Sequence, residues 1–318
     1  MNSFARVTNA IRHEPGTPIA KGELTLDLEF GRAFLSWQSD SADLDSYSET
    51  DLLIACCKTL KLDLICIQYG EIANKEADLT VHMDHIGRFD DEGLFVFLVI
   101  NGAFQTAIMS QGMTLLMNIA YSPDKVSKVL QQVSDQVIAA MAQGVAAGAH
   151  GIIIADDIAY QQNTYISPDF VEQHLLPIWQ AQVMAAKDLG VPVFFHSDGN
   201  LNAIVPYIVA AGFNGLQCIE PAAGMDFRKI KERYGQDLCL MGNIDPSLLT
   251  EQGNQSDIEK RYERLRWAVT DLIAATGGDG GFIFGTCSGL HGGMLPELVQ
   301  FMYQLLSELD PAVHVMPP

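Results

Sequence analysis

Three residue types suited to holding a metal ion stand at the ends of apolar runs in this chain. His196 closes VPVFFH (191–196) and is followed by SDGN; Glu220 closes GLQCIE (215–220), just before Pro221. Cys287 follows GFIFGT (281–286), bracketed by the small residues of TCSG that leave its sulfur accessible. One imidazole, one carboxylate and one thiolate on separate strand ends make a donor set for zinc with an open position. Asp198, two residues after His196, is either a fourth ligand or the acceptor for the imidazole N–H. A lone histidine at a strand end is also commonly a hydrogen-bonded wall residue, and no CxxC or HExxH spacing is present. The company of Glu220 and Cys287 is what points to a metal.

Other strand ends carry groups suited to binding or proton transfer. Tyr69 follows LDLICIQ, Asn101 follows LFVFLVI, and Asn243 and His291 follow or lie close to the two last runs. Asp156 and Asp157 end GIIIADD; successive strand residues point to opposite faces, so one faces a ligand and the other caps a helix. Asp245, before Pro246, orients a substrate or caps the following turn. VHMDH (81–85) has metal-like composition but reads as a solvated loop, and Met109, Met113 and Met117, four residues apart, read as core filling.

These groups need a scaffold that gathers strand ends. Seven nearly uniform apolar runs, at 62–69, 94–100, 151–156, 191–196, 215–220, 237–243 and 281–286, fit strands covered on both faces. A weaker eighth lies within 17–27. Helical stretches separate them: SPDKV at 122 and SPDFV at 167 each offer a Ser cap, Pro at the first helical position and Asp in the first turn. Ser256 and Glu259 read as a capping box, and Gly190, Gly212, Gly235 and Gly277 sit where helices hand over to strands. Seven or eight βα units without GxGxxG or a Walker loop favour a (β/α)8 TIM barrel over an open doubly wound sheet. No linker or composition break appears, so residues 1–318 are expected to form one domain with segment 1–20 packed on it. In such a barrel the polar strand ends converge on one mouth.

Composition narrows the partners. With 19 Lys plus Arg against 39 Asp plus Glu, the net charge is −20, which repels nucleic acid and anionic lipid. Six cysteines are too few for a disulfide framework and fit a reducing cytoplasm. The N-terminus has no signal-like apolar region and no run approaches a membrane span.

The segments RVTNAIRHE (6–14), IIIADD, SPDFVEQHLLPIW, VPVFFHSDGN, IEPAAGMD, MGNIDPSLL and GFIFGTCSG with Pro296-Glu297 resemble the uroporphyrinogen decarboxylase superfamily along the whole chain. Within it they are more similar to the cobalamin-dependent methyltransferase branch, the methylcobalamin:coenzyme M methyltransferase group. The resemblance implies a (β/α)8 barrel.

Two departures distinguish the branches. The decarboxylases carry an Arg-rich RQAGRY-type segment that holds a porphyrinogen's carboxylates, whereas the matching stretch here is RHEPGTPIAKGEL. The methyltransferases carry an HxC zinc motif with a distant Cys; here those places are His196, Asp198 and Cys287, so the middle Cys has become Asp. Glu220 stands where the resemblance implies a displaceable carboxylate ligand. A site with one thiolate and oxygen ligands makes zinc a stronger Lewis acid than a two-thiolate site.

The resemblance thus implies transfer of a methyl group between a small O- or S-methyl substrate, or a thiol, and a corrinoid cobalt, with demethylation favoured. The corrinoid (methylcobalamin in its methylated form) would come on a separate corrinoid protein that is locally basic where it docks. Tyr69, Asn101, Asn243 and His291 are expected at the substrate, Asp157 and Asp198 in catalysis, and a homodimer is possible on this reading. The alternatives are a metal-free decarboxylase, or a non-catalytic binder of a tetrapyrrole or metabolite.

Overall fold

The computed structural model describes residues 1–39, 44–70, 85–250 and 258–312. Eight parallel strands close a barrel in sequence order. They are β1 (Ala20–Glu23), β2 (Leu64–Gln68), β3 (Phe95–Asn101), β4 (Gly151–Ala155), β5 (Val193–His196), β6 (Gly215–Cys218), β7 (Cys239–Ile244) and β8 (Phe282–Thr286). Every apolar run noted above forms a strand. The weak eighth signal is β1, whose pattern is blurred by Lys21 and by Glu23, a carboxylate that is only 2% exposed.

The chain divides into two compact units, the first comprising residues 1–66, 91–95 and 227–318. Within it β1 lies between β2 and β8, with Gly22 opposite Leu64 and Ala20 opposite Ile283. A Cβ at Gly22 would fall 2.2 Å from Leu64 Cγ, so this strand approaches its neighbour only with glycine there. The N-terminal helix Ser3–Ile11 starts on Asn2, whose side chain accepts from Ala5 N at 2.8 Å, and packs against β1 and β8. Arg6 Nε donates to Asp63 Oδ1 at 2.8 Å, and Lys21 N donates to Asp63 Oδ2 at 2.9 Å. One buried carboxylate therefore ties the helix to the strand entry.

The second unit comprises residues 67–90 and 96–226. In it β4 pairs with β5, Ala155 opposite His196, and β5 with β6, His196 opposite Gln217. The helix behind these strands carries Trp179, which meets Phe195 edge-on at 5.0 Å, while Phe97 and Phe194 lie 5.1 Å apart. Such aromatic pairs add to the area they bury.

The two expected Ser-Pro helix starts differ. Ser167 Oγ accepts from Phe170 N at 3.2 Å, as a cap should. Ser122, at φ −151° and ψ 56°, makes no side-chain cap, and helix Pro123–Ala146 starts with its proline at the first position. Ser256 lies outside the described residues. Gly212 ends helix Val205–Ala211 at φ 90°, a left-handed conformation that favours glycine.

The three methionines are not core filling. Helices Ala103–Gln111 and Met113–Tyr121 meet at Gly112, and Met109, Met113 and Met117 are 55%, 71% and 60% exposed. Phe104, Ala107 and Leu115 take the inward positions instead. A four-residue repeat defines a stripe without saying which way it faces. Among the described residues no helix is long and apolar enough to cross a membrane, and all six cysteines are buried.

Candidate functional site

The second unit gathers five ligand-type side chains from the ends of β4, β5 and β6. At β4 the adjacent acids separate as alternation requires. Asp156 is fully buried: Oδ1 accepts from Gln105 N at 2.7 Å, in the first turn of helix Ala103–Gln111, and Oδ2 accepts from Trp179 Nε1 at 3.2 Å. It is the helix-capping acid of the pair. Burial pushes its carboxyl up to about 7, against the hydrogen bonds that favour the anion. A Cβ on Gly102 would fall 2.4 Å from the Asp156 carboxyl carbon, so the chain passes this acid only with glycine.

Asp157 is half-exposed and turned the other way. Its Oδ1 accepts from Asp198 N at 3.0 Å and lies 3.7 Å from His196 Nε2. His196 itself is 5% exposed, and its Nδ1 meets the Gln217 amide oxygen, the neighbour facing it in register. With Nδ1 as donor, Nε2 is left with its lone pair directed at the Asp157 side. Asp157, His196 and Asp198 each place one ligand atom within 4.8 Å of the others. Two ligands about 2.1 Å from one tetrahedral ion stand roughly 3.4 Å apart, and the 3.7 Å between Asp157 Oδ1 and His196 Nε2 is near that spacing.

A second group shares Asp198. Cys218 Sγ donates to Asp198 Oδ1 at 3.2 Å, Glu220 Oε2 accepts from Gly199 N at 2.9 Å, and the donor atoms of Asp198, Cys218 and Glu220 lie within 4.8 Å of one another. Cys218 and Ile219 hold φ of 99° and 56°, left-handed values that bulky residues rarely adopt. The sequence reading placed Asp157, His196, Asp198 and Glu220 at strand ends but missed Gln217 and Cys218. Gln217 had a signal, a polar residue inside an apolar run; Cys218 had none, since alternation assigns it the opposite face from Gln217.

Two further candidates lie in this unit. Tyr69 OH donates to Gln143 Oε1 at 2.9 Å, and partial burial raises its phenol above the ordinary range. Asn101 Nδ2 lies 3.6 Å from Met109 Sδ. Of VHMDH, residues 81–84 lie outside the described residues, and His85 opens a helical stretch at 85–91.

The remaining candidates belong to the first unit. Cys287 is 2% exposed, its N–H donates to Ile244 O at 3.0 Å and its Sγ to Asn243 O at 3.3 Å. Cys287 is in neither of the ligand groups found among the described residues. Asp245 caps the turn after β7, accepting from Ser247 N at 2.8 Å, which decides between its two readings. His291 Nδ1 lies 3.1 Å from Gly292 O. The turn that carries Cys287 hangs on a buried acid: Glu23 Oε2 accepts from Thr286 N at 3.0 Å and Thr286 Oγ1 at 2.6 Å, and Oε1 accepts from Tyr303 OH at 2.5 Å. Burial raises Glu23 to about 7.

Comparison with known proteins follows the same lines. The uroporphyrinogen decarboxylase (URO-D) family model matches residues 75–309. The uroporphyrinogen decarboxylase of Psychromonas ingrahamii is 24% identical over 208 residues, 65% of this chain and 55% of that protein. That of Carboxydothermus hydrogenoformans is 24% identical over 193 residues, 59% of this chain and 49% of that protein. The chain thus spans about half the length of the curated relatives it matches. Among solved structures, a methyltransferase from Methanosarcina mazei superposes with a TM-score of 0.76 at 17% identity, covering 97% of this chain and 99% of that one. With a family match over most of its length and a closed eight-stranded barrel of the same kind, the chain belongs to the uroporphyrinogen decarboxylase family.

Proposed function

We propose that this protein is a zinc-dependent methyltransferase that moves a methyl group between a small O- or S-methyl substrate and the cobalt of a corrinoid held by a partner protein, the demethylating direction being favoured. The observation that carries the reading is the Asp157–His196–Asp198 group, with its imidazole oriented by Gln217. The full-length fold similarity to a Methanosarcina mazei methyltransferase supports it.

The donor chemistry fits zinc: an imidazole nitrogen and carboxylate oxygens at strand ends of one unit. His196 and Glu220, both in the second unit, would hold the ion. Bound zinc supplies Lewis acidity to the heteroatom that bears the methyl group. The chain's own residues do the rest. Gln217 keeps Nδ1 of His196 occupied, so that Nε2 is the coordinating nitrogen. Asp157, half-exposed beside His196, is placed to hand a proton to the departing heteroatom. The Asp198 backbone N–H donates to Asp157 Oδ1 at 3.0 Å, which keeps the two acids side by side. Tyr69 and Asn101 would contact the substrate within the second unit.

The test is elemental analysis of wild type and His196→Ala, purified without added metal, followed by incubation with methyl ethers and thioethers and a reduced corrinoid. About one zinc per chain, lost in the variant, with methyl–cobalt absorbance appearing only in wild type, is the expected result. A folded wild type that takes up no zinc even when supplied would overturn the reading. Decarboxylation of a porphyrinogen by that metal-free protein would then favour the second reading, to which the curated relatives lend support.

A further inference from the structure

We propose that Cys218 is a thiolate ligand of the metal centre, a role that neither the HxC-type motif nor the strand pattern assigns to it. The inference rests on the reading that this site holds a metal. In a regular β6, Gln217 and Cys218 would point to opposite faces, and Gln217 already faces His196. The strand does not stay regular: φ of 99° at Cys218 and 56° at Ile219 break the alternation at its last residue. The result brings Cys218 Sγ to 3.2 Å from Asp198 Oδ1, in a group with Glu220.

Three features make this a ligand arrangement. Asp198 belongs both to the Cys218–Glu220 group and to the His196–Asp157 group, so imidazole, thiol and three carboxylates form one connected set within a single unit. Glu220 Oε2 accepts from Gly199 N at 2.9 Å, which orients that carboxylate, and the Asp198 backbone N–H donates to Asp157 Oδ1 at 3.0 Å. Metal binding would release the thiol proton, and Asp198 Oδ1, 3.2 Å from Sγ, would be the acceptor that passes it to water. A thiolate among oxygen and nitrogen donors selects zinc or cobalt(II) over magnesium or calcium. In the first unit Cys287 donates to Asn243 O at 3.3 Å.

The test uses metal-free full-length protein titrated with cobalt(II). Wild type is expected to bind one cobalt per chain with a sulfur-to-cobalt charge-transfer band. Cys218→Ser should weaken cobalt binding about tenfold or more and cut the band by at least half. A full-intensity band in Cys218→Ser, with unchanged stoichiometry, would overturn the proposal while leaving a metal enzyme in place. Failure of folded wild type to bind either cobalt or zinc overturns both this and the metal reading. Should Cys218→Ser not fold, X-ray absorption of zinc-loaded Cys287→Ser decides: one sulfur at about 2.3 Å upholds Cys218, and none overturns it.

Discussion

The Gln217 amide oxygen faces His196 Nδ1 across the β5–β6 register, so a buried side chain on one strand sets which nitrogen the next strand presents. Removing such a partner typically costs 10- to 100-fold in metal affinity. Gln217→Leu is therefore expected to bind zinc about tenfold or more weakly with little change in secondary structure. Competition against a chromophoric chelator measures it, and unchanged affinity would show that Gln217 only fills space.

Asp156 has a structural part that Asp157 lacks. Asp156→Ala leaves the Trp179 indole N–H and the Gln105 backbone N–H without their partner in a buried setting. Each orphaned donor costs about 1–3 kcal/mol, so a total loss of about 2–6 kcal/mol is expected by urea denaturation. Trp179→Phe, which removes only one donor and some packing, should cost less than Asp156→Ala.

Glu23 should make stability fall with rising pH. Its carboxyl is raised by burial from 4.5 to about 7, so between those values the folded chain binds more protons than the unfolded one. The stabilising protonated form is fully present below about pH 4.5 and is lost as pH rises through about 7, a loss on the order of 3 kcal/mol. Melting temperatures at pH 5 and pH 8 should differ less in Glu23→Gln than in wild type. An equal difference would mean that Glu23 ionises normally.

The exposed methionines give a direct check on the two helices after β3. Mild peroxide should convert Met109, Met113 and Met117 to sulfoxides well before Met141, Met241 and Met302, which are at most 1% exposed. Peptide mapping by mass spectrometry reads the order, and Met141 oxidising as fast as Met113 would contradict this packing.

Strand runs such as GIIIAD and VPVFFH were legible because a strand buried on both faces needs unbroken apolar sequence, and seven such runs with a weaker eighth favour a closed parallel barrel. That Asp157 rather than Asp156 turns toward His196 was half legible: alternation requires the two to part, but only packing against Trp179 and Gln105 decides which is buried. The methionine stripe shows the same limit, since a helical period marks a face and the neighbouring elements choose its side. Gln217 showed in the sequence only as a polar residue inside an apolar run, and Cys218 gave no signal at all. Pairing Gln217 with His196 depends on a register between strands 21 residues apart, and bringing Cys218 to Asp198 depends on a left-handed turn at residues 218 and 219. Local periodicity carries neither the register nor the departure from it, because both are set by contacts between segments distant in the chain.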